Sequence, residues 1–247
     1  MAGLVERSDS DGVAVLCLNR PEVLNALSPK LFAELRSHVD CIALETESVG
    51  CVVLRGAGRS FSAGNDLRAI QAGERASSPH FQAETLDAIE RLPQPVIAAV
   101  QGHCYTGALE LALACDLLVA GESARFADTH GKFGMTPTWG MSQRLPRRIG
   151  PLRAKELMFS GRPLSGAAAV AIGLANQCVP DAELESTALA LAREIAANSW
   201  FTLRTEKRLI RDGESLGLAD ALAFERANSP GAGPDMAERL KAFGKRG

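Results

Sequence analysis

PVIAAVQGHCYTGALELALACDLLVA, residues 95–120, decides the fold. An apolar run from Pro95 to Val100 enters a turn rich in small residues. That turn opens into a helix at Gly107, and the helix leads to a second apolar run, Leu117 to Ala120. Strand, helix and strand in succession mark an α/β layer with crossover connections. The first N–H groups of a helix have no intrahelical partner and carry the positive end of its dipole. A carbonyl oxygen resting on the Gly107 amide would therefore be polarised, and Glu110 follows within one helical turn. The neighbours of Glu110 are apolar on all sides. A carboxylate in such surroundings is either paired or has a raised pKa and a chemical role.

The pattern continues on both sides of this stretch. Val13 to Leu18 reads as a strand after the turn Asp11-Gly12. Ser28-Pro29 is a helix start, with Ser as the N-cap and Pro at the first helical position. From there Leu31, Phe32, Leu35, Val39, Ile42 and Ala43 recur at helical spacing through Leu44. Cys51 to Leu54 reads as a strand, followed by the glycine-rich loop GAGRSFSAGND (56–66) and a helix from Phe81 to Leu92. In that loop Gly64 permits a tight backbone path and Asp66 is placed to cap a short helix from Leu67 to Ala72. The second half has one strand candidate, Ala175 to Val179. Helices are predicted over 150–158, 165–172, 181–198, 201–211, 215–227 and 236–243, with a loop at 228–234. A late helical region of this kind suits a cap or an oligomerisation element.

Composition excludes several classes. The 247 residues carry a net charge of −2, with 46% hydrophobic and 23% charged residues, a globular balance without the basic stripe of a nucleic-acid binder. No apolar stretch is long enough to span a membrane. The six cysteines form no Cys-x-x-Cys pair and the four histidines are scattered, so no zinc site is expected. The cysteines read mostly as buried free thiols. With a polar, charged start in place of a signal sequence, this gives the cytoplasm as the expected compartment. The 56–66 loop lacks the third glycine of a dinucleotide fingerprint, and no Gly-Lys-Ser/Thr sequence or Gly-x-Ser-x-Gly elbow is present.

Five ordered blocks carry a resemblance: LNRPEVLNALS (18–28), SFSAGNDL (60–67), PVIAAVQGHCYTGALELALACDLLVAGESARFA (95–127), GMTPTWGMSQRLPRRIG (134–150) and FSGRPLSGAAAVAIGLANQCV (159–179). Over nearly its full length the chain resembles the enoyl-CoA hydratase/isomerase (crotonase) family. The resemblance implies a spiral of β-β-α turns over 1–195 and a helical C-terminal region, 196–247, that mediates trimer formation. It assigns an oxyanion hole for the acyl-CoA thioester carbonyl to the amides of Asn65 and Gly107. It lays the loop from Asn65 to Arg68 along the CoA, and adds Ala26, Ala63, Gly64, Asp66 and Leu67 to the CoA-binding set. In the tail ERLKAFGKR, Phe243 and Lys245 match residues that reach a neighbouring subunit's CoA. The implied reaction is syn hydration of a 2-enoyl-CoA, with no metal or redox cofactor and coenzyme A entering as part of the substrate. The implied assembly is a homotrimer or a dimer of trimers.

The chain departs from the family at telling positions. Hydratases of the family carry two glutamates. The first falls on Glu110; the second falls on position 130, where this chain has His130. Histidine can do acid/base work near neutral pH but does not reproduce a carboxylate pair. Asp128 is a possible substitute, since in an extended segment residues two apart face the same side. Thr106 is bulkier than the family's small residues in the helix-opening turn, and Trp139 stands as either a wall of the acyl pocket or a packing residue. Isomerisation, thioester hydrolysis, decarboxylation and non-catalytic acyl-CoA binding stay open on these residues.

Overall fold

The computed structural model describes residues 3–244. Among the described residues nine strands form: β1 (Val5–Ser10), β2 (Val13–Leu18), β3 (Cys51–Gly56), β4 (Val96–Val100), β5 (His103–Tyr105), β6 (Leu117–Gly121), β7 (Arg125–Ala127), β8 (Leu164–Ser165) and β9 (Gln177–Val179). The helices in the first half are α1 (Pro29–Leu44), α2 (Leu67–Gln71), α3 (Phe81–Glu90) and α4 (Gly107–Leu113). Those in the second half are α5 (Met141–Ile149), α6 (Pro151–Ser160), α7 (Gly166–Ala171), α8 (Leu184–Ala196), α9 (Trp200–Gly213), α10 (Leu218–Asn228) and α11 (Met236–Phe243).

The larger sheet runs β1-β2-β3-β4-β6-β9, with β1 antiparallel to β2 and every other pairing parallel. Helices carry the chain between its parallel strands, as parallel pairing demands. A second sheet, β5-β7-β8, lies beside it. Each spiral turn gives one strand to the large sheet and a shorter one to the small sheet: β4 then β5, β6 then β7. The turn beginning with β3 contributes only a bridge residue, Ser62, which pairs with Cys104 of β5.

Strand alternation sorts the core. Val52 and Leu54 of β3 face a large cluster that includes Leu31, Phe32, Leu35 and Ile42 of α1 and the apolar body of α4. Cys51 and Val53 face the other way, into a smaller cluster closed by Leu184, Ala188 and Ala192 of α8. Ser28 caps α1 as expected, its Oγ accepting from Leu31 N at 3.2 Å.

Several elements differ from expectation. β1 is polar (VERSDS) because it is an edge strand with one outward face, so no apolar pattern betrays it. It is joined to β2 by the two-residue turn Asp11-Gly12, both with positive φ (53° and 75°). α5 was not expected, since Pro146 interrupts it. Most of the thiols are buried as expected, namely Cys17, Cys51, Cys104 and Cys115, while Cys41 is exposed and Cys178 is partly covered.

α9, α10 and α11 contribute no buried residue. α9 is tied to the core by polar anchors. Arg204 donates to Thr46 O (2.6 Å), and Lys207 Nζ to Gln94 O (2.9 Å) and Asp116 (2.7 Å).

One buried side chain braces the region where the site forms. Asn25 is fully buried with φ 52°. Its Oδ1 accepts from Arg20 N, and its Nδ2 donates to Ala57 O and Ser60 O, each at 2.8 Å. The segment it anchors pairs with the 63–66 loop, through Ala63 N to Leu24 O and Leu27 N to Gly64 O. Asn25→Ala strands those three backbone groups and removes a residue type that tolerates positive φ. The expected cost is about 3 kcal/mol, or roughly 6–12 °C in thermal unfolding for a chain of this size. A melting point within about 2 °C of the parent's would show that the brace is dispensable.

Candidate active site

Ser62, Cys104 and Phe126 stand side by side across the small sheet: Ser62 pairs with Cys104, and Cys104 with Phe126. Three residues beyond each, the chain turns out of the sheet, at Asn65, Gly107 and Thr129. Register alone therefore brings one point from each of three successive spiral turns to the same edge. Residues 42 and 22 apart along the chain become neighbours there.

The first two turns hold main-chain donors. Among the described residues neither Asn65 N nor Gly107 N donates to a protein acceptor, while the amides of Gly64 and Asp66 do. Gly107 is the first residue of α4, so its N–H has no intrahelical partner. Gly64 has φ 96°. A Cβ there would sit 2.5 Å from Tyr105 O and 3.5 Å from Gly107 N, so only glycine lets the two turns meet this closely. At Gly107 a Cβ would run into the Trp139 indole, which lies over it and packs edge-on against Phe32 with ring centroids 5.1 Å apart. Trp139 is thus both a packing residue and a border of the site.

Glu110, Asp128 and His130 are all buried, at 1%, 2% and 9% exposure. Glu110 Oε1 accepts two backbone N–H bonds, from Trp139 (3.0 Å) and Met141 (2.9 Å) at the start of α5. This fixes the carboxyl and leaves Oε2 facing His130 Nε2 at 4.0 Å. Burial pushes the Glu110 pKa up, against the opposing pull of the Met141 amide, the His130 ring and the Trp139 amide. On its other side His130 Nδ1 lies 2.7 Å from Asp128 Oδ1, which also accepts from His130 N at 2.9 Å. The result is a line of three groups: Asp128, His130, Glu110.

The expectation of an extended segment at 128–130 is corrected here. β7 ends at Ala127, and the chain enters a 3₁₀ turn over His130–Phe133. Asp128 faces the back of the His130 ring rather than lying beside it toward a common guest.

The other expected residues divide. Ala26, Ala63, Gly64, Asn65 and Asp66 come together where 24–27 pairs with 63–66, and Arg20 bridges Ala26 O (2.6 Å) and Asp66 (2.7 Å). Burial opposes ionisation of Asp66, but the Ala69 amide and the Arg20 guanidinium hold its pKa below the usual carboxylate value. Its Oδ1 accepts from Ala69 N, capping α2 as expected. Leu67 and Arg68 open α2 and are exposed. Phe243 is exposed at the end of α11 and belongs to neither apolar cluster. Lys245 lies outside the described residues.

Three features have no sequence signal: the two amides holding Glu110, the Arg20–Asp66 pair, and a hydroxyl pair between Thr106 and Thr129. The first is main-chain and leaves no side-chain signal. The arginine was visible in the block 18–28, but nothing local ties it to residue 66. Among the described residues no cluster of His, Cys, Asp or Glu could hold a metal ion, and no helix is long and apolar enough to cross a membrane.

The chain is similar to proteins named as enoyl-CoA hydratases. The chain is 36% identical over 220 residues to the Arabidopsis thaliana protein named probable enoyl-CoA hydratase 1, peroxisomal, covering 89% of this chain and 83% of that protein. It is 36% identical over 217 residues to the short-chain-enoyl-CoA hydratase of Clostridium acetobutylicum, covering 86% and 83%. The crystal structure of the enoyl-CoA hydratase from Bacillus anthracis superposes with a TM-score of 0.92 at 36% identity, covering 98% of this chain and 96% of that one. The spiral core and helical C-terminal region are thus those of the crotonase fold. With its family model matching residues 8–239 and these relatives spanning most of the chain, the protein belongs to the enoyl-CoA hydratase/isomerase family.

Proposed function

We propose that the protein adds water across the double bond of a 2-enoyl-CoA, using Glu110 and His130 as its proton-transfer pair. The observation that carries this is the 4.0 Å gap between Glu110 Oε2 and His130 Nε2, both groups held from behind. The gap is too long for a direct hydrogen bond and suits one bridging water. With Asp128 Oδ1 accepting a hydrogen bond from Nδ1–H, Nε2 is left as the basic nitrogen. The water gives a proton to Nε2 and its oxygen bonds to C3. The electrons of the double bond move onto the thioester oxygen, held by the amides of Asn65 and Gly107. Each such donor typically contributes about 3 kcal/mol in the transition state. Burial favours protonated Glu110, which delivers its proton to C2. The proton on His130 then returns to Glu110, and one water has been added.

Asp66, fixed by Arg20, sets the turn that aims the Asn65 amide. Ala26, Ala63, Leu67 and Arg68 border the CoA path, and the C-terminal region, residues 196–247, serves assembly. On the family resemblance, Phe243, exposed at the end of α11, is assigned to a neighbouring subunit's CoA, as is Lys245 by its sequence match alone. The apolar residues that α9–α11 leave open, such as Ile210, Leu218 and Phe243, support a trimer or a dimer of trimers. The free thiols suit the cytoplasm.

The test is a panel of saturated and unsaturated acyl-CoA thioesters, including crotonyl-CoA, with products identified by mass. A gain of one water on the enoyl-CoAs is expected. Release of free CoA, loss of carbon dioxide, or a rearranged isomer would reassign the reaction to hydrolysis, decarboxylation or isomerisation. Binding without turnover would make the protein an acyl-CoA carrier.

A further inference from the structure

Thr106 has φ 53° and ψ −108°, a region that glycine enters freely and a β-branched residue enters only under strain. A residue held there needs surroundings that over-determine it, and Thr106 has them. Its N–H donates to Ala127 O at 2.8 Å, and its carbonyl accepts from Glu110 N at 3.0 Å. Its Oγ1 accepts from Thr129 N at 3.1 Å and lies 2.5 Å from Thr129 Oγ1. One residue therefore touches all three parts of the site. The next amide along the chain is Gly107 N, its carbonyl holds the backbone of Glu110, and its hydroxyl grips the residue immediately before His130.

We propose that the Thr106 hydroxyl is a positioning group, clamping the turn that presents Gly107 N to the turn that presents His130, at the expense of backbone strain. The proposal rests on the hydratase reading of the site. A glycine at 106 would relax the backbone, but among the described residues no other side chain would then tie the two turns. The distance from His130 to the acyl oxygen would become variable. That variation affects the aligned transition state more than substrate binding, since misplacement of reacting groups is read mainly in the rate.

The test compares Thr106→Gly, Thr106→Val and Thr106→Ser in steady-state hydration of crotonyl-CoA, each with a thermal melt. Thr106→Gly is expected to raise the melting point by about 3 °C through relief of strain and to lower kcat about tenfold with KM within twofold. Thr106→Val keeps the branch and the strain without the hydroxyl and is expected to lower kcat similarly. Thr106→Ser keeps the hydroxyl and is expected to restore kcat to within threefold of the parent. Thr129→Val should match Thr106→Val, and the double variant should be no worse than either single one. Parental kcat in Thr106→Gly or Thr106→Val overturns the clamp. So does a loss of kcat in Thr106→Ser equal to that in Thr106→Val. A loss of activity that follows a falling melting point in every variant marks a purely structural residue and also overturns it. If the parent hydrates no enoyl-CoA, the hydratase reading falls instead, a result distinct from any of these.

Discussion

Replacing Glu110 by Gln is expected to lower kcat for enoyl-CoA hydration by about a thousandfold or more while making the protein more resistant to heat at neutral pH. On the proposed mechanism the loss of rate follows from removing the group that gives a proton to C2, at the upper part of the 10²–10⁴ range for acid/base groups. The gain in stability follows from burial. Glu110 is 1% exposed and its pKa is raised in the fold, first by that burial. At acid pH, below the ordinary glutamate value, the carboxyl is neutral in both folded and unfolded chains and no penalty exists. As pH rises past that value the unfolded chain ionises while the folded one keeps its proton, so the unfolded state binds fewer protons and stability falls. The fall ends at the raised folded value. A glutamine stays neutral throughout, and its carbonyl oxygen still accepts the two N–H bonds from Trp139 and Met141. The melting-point difference between variant and parent should thus be near zero at pH 4 and grow to a few degrees at pH 7, each 1 kcal/mol being worth about 2–4 °C at this size. The opposite sign at pH 7, or a variant with parental kcat, would contradict the assignment. Such an exchange of stability for activity is common where an ionisable group must sit in a dry place.

What the sequence revealed and what it hid follow one physical division. Features written in local spacing were legible. Ser28-Pro29 starts a helix, the apolar run 51–54 reads as a strand, and Gly107 opens α4 with Glu110 one turn along. Features created by long-range register were not. β5 and β7 are three residues each, too short for a periodic signal, and exist because His103–Tyr105 lies against Arg125–Ala127. α5 was obscured by Pro146, which removes a hydrogen bond from its interior. It is held from outside by Arg144, whose Nη2 meets Asp87 and Glu90 of α3 at 2.6 and 2.7 Å while its Nη1 reaches Trp139 O. The site shows the same split. Its residue types were visible, and the role of Glu110 could be argued from its apolar neighbours. The direction Asp128 faces could not, because a 3₁₀ turn replaced the extended segment that spacing suggested.

That direction makes the final prediction. His130→Ala is expected to lower kcat at least tenfold, with CoA affinity nearly unchanged, since it removes the proposed base and leaves the backbone donors in place. His130→Glu would place a second carboxylate opposite Glu110, as the family resemblance suggests, yet it is expected to stay far below the parent. The reason is Asp128, 2% exposed and 2.7 Å from the present ring. A glutamate at 130 would stand between two buried acids, and like charges so close cannot all ionise. The added proton that resolves the repulsion would sit on the group needed as base. Adding Asp128→Asn removes one of the three acids and offers an amide donor to the new carboxylate. The double variant is therefore expected to recover about tenfold or more over His130→Glu alone, while Asp128→Asn by itself lowers the parent's kcat by weakening the hold on the histidine tautomer. Steady-state hydration of crotonyl-CoA by the four variants decides it. Equal rates in parent and His130→Ala would remove the histidine from the mechanism. Equal rates in His130→Glu with and without Asp128→Asn would show that Asp128 exerts no influence on whatever group stands at 130.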